Sequence, residues 1–382
     1  MWQPEIRVDL GAIRDNVVRL RAGTKAQIMA IVKADGYGHG MIPSARAALA
    51  GGATWIGACT VPEALDLRSA GFDVPVLAWL WAPDAPVVDA VRANVDLSVA
   101  SLEQLNTVLA AARRLDRVAR VHLKIDSGLS RNGATPAEWP PLVDAAAKAQ
   151  ADGDLDVVGA WSHLAVADDP GHASIDRQLA AFRAGLDAVT RAGLTPQVRH
   201  LANSAALLTR PDTHFDLVRP GISVYGLSPF SGRPATDFGL RAAMTVRAPV
   251  TLAKRVPAGQ GVSYGHTYTT GKQTTLALVP LGYGDGVPRH ASNVGPVHLA
   301  GKVRTVAGRV CMDQIVLDCG DDDIRAGDVA TLFGPGDDGE PTASDWAEAT
   351  GTINYEIVTR IGGARVARAY DGPPHLASGA AQ

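Results

Sequence analysis

The stretch Ala30-Ile31-Val32-Lys33-Ala34-Asp35-Gly36-Tyr37-Gly38-His39-Gly40 places one lysine where an apolar run stops and a glycine-rich loop begins. Ala26 to Val32 is mostly apolar, without helical spacing of polar residues, and reads as a buried strand. Lys33 therefore sits at the mouth of that strand. A solvated lysine capping a strand is the plain alternative. Tyr37 separates the two readings. A phenol four residues on, in a loop whose glycines allow close backbone approach, suits a phosphate-bearing aldehyde cofactor beside its lysine.

Outward from this strand, apolar runs alternate with amphipathic ones as far as residue 222. The runs are Ala26 to Lys33, Trp55 to Cys59, Pro75 to Trp81, Asp96 to Ala100, Arg120 to Asp126, Asp156 to His163, Gln197 to Asn203 and Asp216 to Pro220. Helices fit between them: one starts at Val61-Pro62-Glu63 and stops at Gly71, one starts at Ser101, and the longest runs from Ser174 to Ala192 before Gly193. Eight β/α units in sequence predict an α/β fold of the (β/α)8 TIM-barrel type over residues 10–232. After Tyr225 the texture changes to short Val- and Thr-rich runs between Gly and Pro turns: Val246 to Lys254, Thr274 to Pro280, Gly295 to Arg304 and Gly308 to Asp318. These predict a second, mostly β domain over 233–382, with residues 1–9 pairing into it. Asp321-Asp322-Asp323 and Gly334-Pro335-Gly336-Asp337-Asp338-Gly339 lack calcium-loop spacing and read as turns. The tail after Asp371 is small and polar enough to be disordered.

Bulk properties narrow the function classes. Across 382 residues, 36 basic and 39 acidic side chains give a formal net charge of −3, which offers no footprint for nucleic acid. The start lacks the apolar core of a signal peptide, and no apolar stretch approaches the ~20 residues that span a bilayer. The expectation is a soluble cytoplasmic protein without a membrane partner. Cys59, Cys311 and Cys319 show no Cys-x-x-Cys spacing, so buried free thiols are expected and no metal site is.

Barrel enzymes build their sites at the C-terminal ends of the strands, and every candidate in the first half falls there. Lys33 follows the first strand, Lys124 and Arg131 flank the turn after the fifth, and His163 ends the sixth. Asn203 and Ser204 follow the seventh, and Arg219 with Gly221 and Ile222 closes the eighth. Singly, Lys124 could cap a strand, His163 could be a satisfied core histidine, and Ser204 could be a helix N-cap before Ala205 to Leu208. Five loops converging by topology favour a site.

The segments around Lys33, Leu123 to Gly133, Arg199 to Ala206 and Arg219-Pro220-Gly221-Ile222 resemble those of the alanine racemases. So do Val262-Ser263-Tyr264-Gly265, Gly282-Tyr283-Gly284-Asp285-Gly286, Gly308-Arg309-Val310-Cys311-Met312-Asp313 and Asn354-Tyr355-Glu356. Together they span residues 30–356 in family order. The resemblance implies pyridoxal 5'-phosphate as cofactor and interconversion of L- and D-alanine by two bases acting on its aldimine, supplying D-alanine for peptidoglycan. It makes Lys33 the aldimine partner and the base for D-alanine, and Tyr264 the base for L-alanine, its anion supported through His163 and Arg219. It gives the cofactor's phosphate to Tyr37, Ser204, Gly221, Ile222 and Tyr355, with Asn203 nearby, and its pyridine nitrogen to Arg219. Arg131 and Met312 match the substrate-carboxylate region, Tyr283 and Asp313 the entrance, and Lys124 a lysine often carbamylated in the family. A head-to-tail homodimer is implied, because the family's counterparts of Tyr264, Tyr283 and Met312 reach the partner's barrel.

Departures are small: Leu164 stands where many relatives have Phe, Gly284 replaces a common Ala, and Gly362-Gly363-Ala364 lacks a frequent proline. Two other readings are weighed. A decarboxylase of the same architecture would place a carboxylate at the ring nitrogen, where this chain has Arg219, and a non-catalytic cofactor carrier would be a lone barrel without Tyr264.

Overall fold

The computed structural model describes residues 3–377, which fold as two compact units. One combines Ile13–Gly36 with Met41–Leu240; the other takes Tyr37–Gly40 and Arg241–Ala377 together with the chain up to Ala12. The division falls at Leu240/Arg241, eight residues beyond the sequence-based 232/233. Residues 233–240 stay with the first unit because the Arg19 side chain donates to the Phe238 carbonyl (3.0 Å) and the Phe230 and Phe238 rings lie 5.4 Å apart.

After strand β1 (Glu5–Asp9), the first unit is a parallel barrel of β2 (Gln27–Ile31), β3 (Trp55–Ala58), β4 (Val76–Ala78), β5 (Asp96–Val99), β6 (Ala119–Lys124), β7 (Leu155–Trp161), β8 (Val198–His200) and β9 (Leu217–Val218). Each strand lies beside its chain neighbours, and β9 returns to β2 with Gln27 opposite Leu217. The β8–β9 side is closed by Asp216 N–H donating to Arg199 O (3.1 Å) and Arg219 N–H to Ala202 O (2.9 Å). Strands covered on both faces need apolar residues throughout, which is why they read as continuous runs. The helices begin and end on local signals. Thr60 and Glu63 form a capping box before Val61–Ser69, Ser101 accepts from Gln104 N–H before Leu102–Leu115, and Gly193 at φ 81° follows Ser174–Arg191.

The second unit contains a six-stranded sheet in the order Lys302–Thr305, Pro296–Leu299, Val329–Phe333, Met244–Pro249, β1 and Ala367–Asp371. β1 runs antiparallel to Met244–Pro249, with Ile6 opposite Val246, and buries Ile6 and Val8 on the covered face. Leu252–Val256, Thr274–Val279 and Ile315–Asp318 form a smaller sheet.

Here the local reading needs correction. Val246 to Lys254 is not one strand, because Val250 N–H donates to Asp328 O and the next residue, Thr251, donates to Leu278 O, so the chain changes sheets. Gly295 to Arg304 is a hairpin turning at Ala300-Gly301, both left-handed (φ 52° and 74°). Only Ile315–Asp318 of the run from Gly308 is strand, and helices Ala343–Thr350 and Asn354–Arg360 interrupt the β texture. Pro374–Ala377 is a short helix in the tail expected to be disordered; residues 378–382 lie outside the described ones. The acidic turn holds basic side chains: Asp321 pairs with Arg255 and Lys272, Asp322 with Lys302 and Arg304, and Asp323 with Arg325. All three thiols are free, but only Cys319 is buried; Cys59 and Cys311 are half-buried. Among the described residues, no helix is long and apolar enough to cross a membrane.

Candidate active site

β2 ends one residue before Val32, and the backbone then enters a left-handed turn in which Ala34, Asp35, Gly36 and Tyr37 have φ between 52° and 62°. Each non-glycine residue there costs about 1–2 kcal/mol, so something must hold the turn. Glu63 does so, its carboxylate accepting from the N–H groups of Ala34 (2.9 Å), Cys59 (2.8 Å) and Thr60 (2.9 Å). Asp35 adds a bond from Met41 N–H (2.9 Å). The result projects half-buried Lys33 from a rigid corner. Burial, reinforced by the charge of Arg131, lowers the Lys33 pKa below the ordinary lysine range.

Arg219 follows β9, the strand beside β2, and is 4 % exposed. Its guanidinium donates to Ser162 O (2.8 Å) and Leu201 O (3.2 Å), and it faces His200 Nδ1 (3.0 Å) and His163 Nδ1 (3.2 Å). A guanidinium only donates, so both ring nitrogens accept. Burial lowers its pKa to about 9, which leaves it charged at neutral pH. Trp161, at the end of β7, carries Arg219 Cζ 4.7 Å and Lys124 Nζ 4.2 Å from its ring centroid. Lys124, the last residue of β6, is brought down to about 7 by burial and by Arg219 and Arg131. His163 is pushed well below its ordinary value by burial and by Arg219, Arg131, Lys124 and Lys33, so it is neutral.

At β8, Asn203 rather than Ser204 caps the helix Ser204–Thr209, accepting from Ala206 N–H (3.1 Å). The Ser204 hydroxyl instead accepts from Gly221 N–H (2.9 Å) and Ser223 N–H (3.4 Å), at the start of the turn Ile222–Tyr225. Accepting from both amides, the hydroxyl keeps its own hydrogen to donate, which suits an anionic, phosphorylated ligand. Arg131 is exposed on the loop after β6, which Asp126 orders by accepting from Gly128, Leu129 and Ser130 N–H.

The second unit groups its residues in two places. Tyr37 and Tyr355 have ring centroids 6.3 Å apart, and Gly38 leaves room only for the Val358 carbonyl. Separately, Tyr264 (71 % exposed), Met312 (62 %) and Tyr283 (41 %) stand on loops knitted together by Tyr283 N–H to Cys311 O (2.9 Å), Gly284 N–H to Met312 O (2.7 Å) and the Ser263 hydroxyl to Arg309 O (2.7 Å). Exposed Asp313 follows Met312. Sequence reading missed Glu63, Trp161 and His200. Glu63 was findable from Thr60-x-x-Glu63, whereas Trp161 and His200 carried no local signal.

Two family models match the chain: alanine racemase, N-terminal domain, over residues 8–229, and alanine racemase, C-terminal domain, over 243–370. The alanine racemase of Salinispora tropica is 66 % identical over 372 residues, covering 97 % of this chain and 99 % of that protein. That of Thermobifida fusca is 58 % identical over 369 residues, covering 96 % and 98 %. Among solved structures, the alanine racemase from D-cycloserine-producing Streptomyces lavendulae superposes with a TM-score of 0.97 at 52 % identity, covering 98 % of this chain and 99 % of its own. The enzyme from Streptomyces coelicolor A3(2) gives 0.95 at 55 %, covering 96 % and 98 %. With both halves matched in order by family models and near-full-length relatives, this chain belongs to the alanine racemase family.

Proposed function

We propose that the chain interconverts L- and D-alanine by moving the Cα proton between two bases, with pyridoxal 5'-phosphate held at the barrel mouth. The observation that carries this reading is the buried Arg219 guanidinium beside neutral His163, in the same barrel as a lysine whose basicity burial has lowered. When bound, the cofactor would supply the electron sink that lets a Cα proton leave. Lys33 would hold its aldehyde carbon and exchange the proton on the D face. Arg219, able only to donate, would bond the pyridine nitrogen and keep it unprotonated. That disfavours decarboxylase chemistry, which uses a carboxylate there. Ser204 and the Gly221 and Ile222 amides, with the Tyr37 and Tyr355 hydroxyls, would bind phosphate, and Asn203 would fix the Ser204 helix.

Tyr264 would serve the L face of a partner subunit's site. A solitary phenol has a pKa of ~10 and is a poor base near neutrality, so the cations around His163 would have to support its anion. An exposed Tyr264, Met312 and Tyr283 on one surface favour a two-fold homodimer with shared sites. Met312 and Arg131 would bind the alanine carboxylate, and Tyr283 and Asp313 would line the entrance. A cytoplasmic enzyme of this kind would supply D-alanine for peptidoglycan.

The test supplies purified protein with the cofactor and L-alanine, following optical rotation and carbon dioxide, and then maps the borohydride-fixed cofactor by peptide mass. Loss of rotation without gas, and an adduct on Lys33, are expected. Gas release, or an adduct on another lysine, would overturn the assignment.

A further inference from the structure

Beneath Arg219 a file of polar side chains crosses a barrel core that apolar side chains normally fill. His200 Nε2 lies 2.9 Å from His122 Nδ1, and His122 Nε2 lies 3.2 Å from Asp96 Oδ2. Arg120 closes the file, Nε donating to Asp96 Oδ1 (2.6 Å) and Nη2 to Oδ2 (3.2 Å). His200, His122 and Asp96 are fully buried. The file passes over β7 at Gly159, the register partner of both His122 and Val198; a Cβ there would lie 2.2 Å from His122 Nδ1. The His200 ring stacks on Trp161 at 5.3 Å and 8°.

The two ends fix the direction of every hydrogen bond between them. Arg219 only donates, so His200 Nδ1 is bare and its proton is on Nε2. His122 Nδ1 must then accept, which puts its proton on Nε2, aimed at a carboxylate that only accepts. A doubly protonated imidazole at either position would set donor against donor. We propose that Asp96 and His122 are positioning residues for Arg219, locking His200 in the tautomer that turns a bare Nδ1 to the guanidinium and so fixing its orientation at the barrel mouth. Burial and the Arg219 charge hold His200 well below its ordinary pKa, in keeping with a neutral ring. Burial opposes ionisation of Asp96, but bonds from His122 and Arg120 outweigh it and keep its pKa below the ordinary carboxyl value. An ionised carboxylate deep in a barrel is expensive unless paired, and this pairing gives it a role. The inference rests on the reading of Arg219 as the pyridine partner.

Asp96→Asn tests it at nearly constant shape. Arg120 Nε keeps the shorter Oδ1 acceptor and Nη2 gives up its longer bond to Oδ2, so the amide nitrogen turns to His122 Nε2, the file reverses, and a proton on His200 Nδ1 meets the guanidinium. Nitrogen-15 spectra of histidine-labelled protein, with cofactor bound and after its removal, report the tautomers directly. Wild type should show both buried rings neutral and protonated on Nε2. In the variant at least one should move to Nδ1, while kcat falls roughly ten- to a hundredfold with little change in KM for alanine. Wild-type rings protonated on Nδ1, tautomers unmoved in the variant, or moved tautomers with wild-type kcat would each overturn the proposal. If Asp96→Asn does not fold, the wild-type spectrum still decides the tautomers. Gly159→Ala then tests the coupling, since it displaces the His122 ring without altering a polar group and should lower kcat alike; wild-type kcat with the ring displaced would overturn it. A wild-type protein with the expected tautomers but no racemisation would instead sink the functional reading.

Discussion

Lys124 should take up carbon dioxide at neutral pH. It ends β6 with 4 % exposure, lies over Trp161, and has cationic Arg219 and Arg131 as its strongest charged neighbours, so its pKa is lowered to about 7. At pH 7 about half its amine is then unprotonated, against about four in ten thousand for an ordinary lysine at ~10.4, a gain of roughly a thousandfold in the form that reacts with carbon dioxide. The carbamate would be an anion beside Arg131 and Arg219, trading repulsion for charge-assisted hydrogen bonds. Because the pKa falls on folding, between about 7 and ~10.4 the unfolded chain holds a proton that the folded chain lacks. The unmodified lysine's contribution to stability therefore rises with pH across that window, by at most about 5 kcal/mol. Carbon-13 spectra in labelled bicarbonate at pH 7.5 should show a carbamate resonance that fades toward pH 6 and is missing from Lys124→Gln. No resonance in wild type at pH 7.5–8, or one that persists in Lys124→Gln, would refute the reasoning.

Glu63→Gln keeps the shape but turns one acceptor into a donor against backbone N–H groups at the left-handed turn. It should cost about 1–3 kcal/mol in urea unfolding and slow borohydride-trappable capture of the cofactor; unchanged capture would show that the turn holds Lys33 without it. Tyr264→Phe, on a ring 71 % exposed, should shift stability by no more than about 0.5 kcal/mol while racemisation in both directions collapses, measured by polarimetry. Subunit exchange between Lys33→Ala and Tyr264→Phe proteins should restore roughly a quarter of wild-type activity, since half the dimers are mixed and each has one intact site. No recovery after verified exchange would mean that each chain completes its own site.

The barrel was legible because its determinants are local. A strand buried on both faces must be apolar along its length, helix ends need caps such as Ser101 and stops such as Gly193, and Lys33 stood out where one such strand met glycines. The sequence alone thus determined eight β/α units and the chain positions from which Lys33, His163, Ser204 and Arg219 emerge. Pairing partners were not legible. The break between Pro249 and Leu252 depends on which distant carbonyls, those of Asp328 and Leu278, two consecutive amides reach, and Gly295 to Arg304 folds back because its own halves pair. Tertiary structure alone set the chemistry of the site. Lys124 is an ordinary lysine in the sequence, and its low basicity comes from exclusion of water and from cations seven and ninety-five positions away, Arg131 and Arg219. Asp96 and His122 lie in two separate strand runs, with nothing in the sequence to connect them. Only closure of the barrel, with Gly159 leaving space between them and His200, makes them one directed line of hydrogen bonds, because direction depends on which groups meet in space and not on their order in the chain.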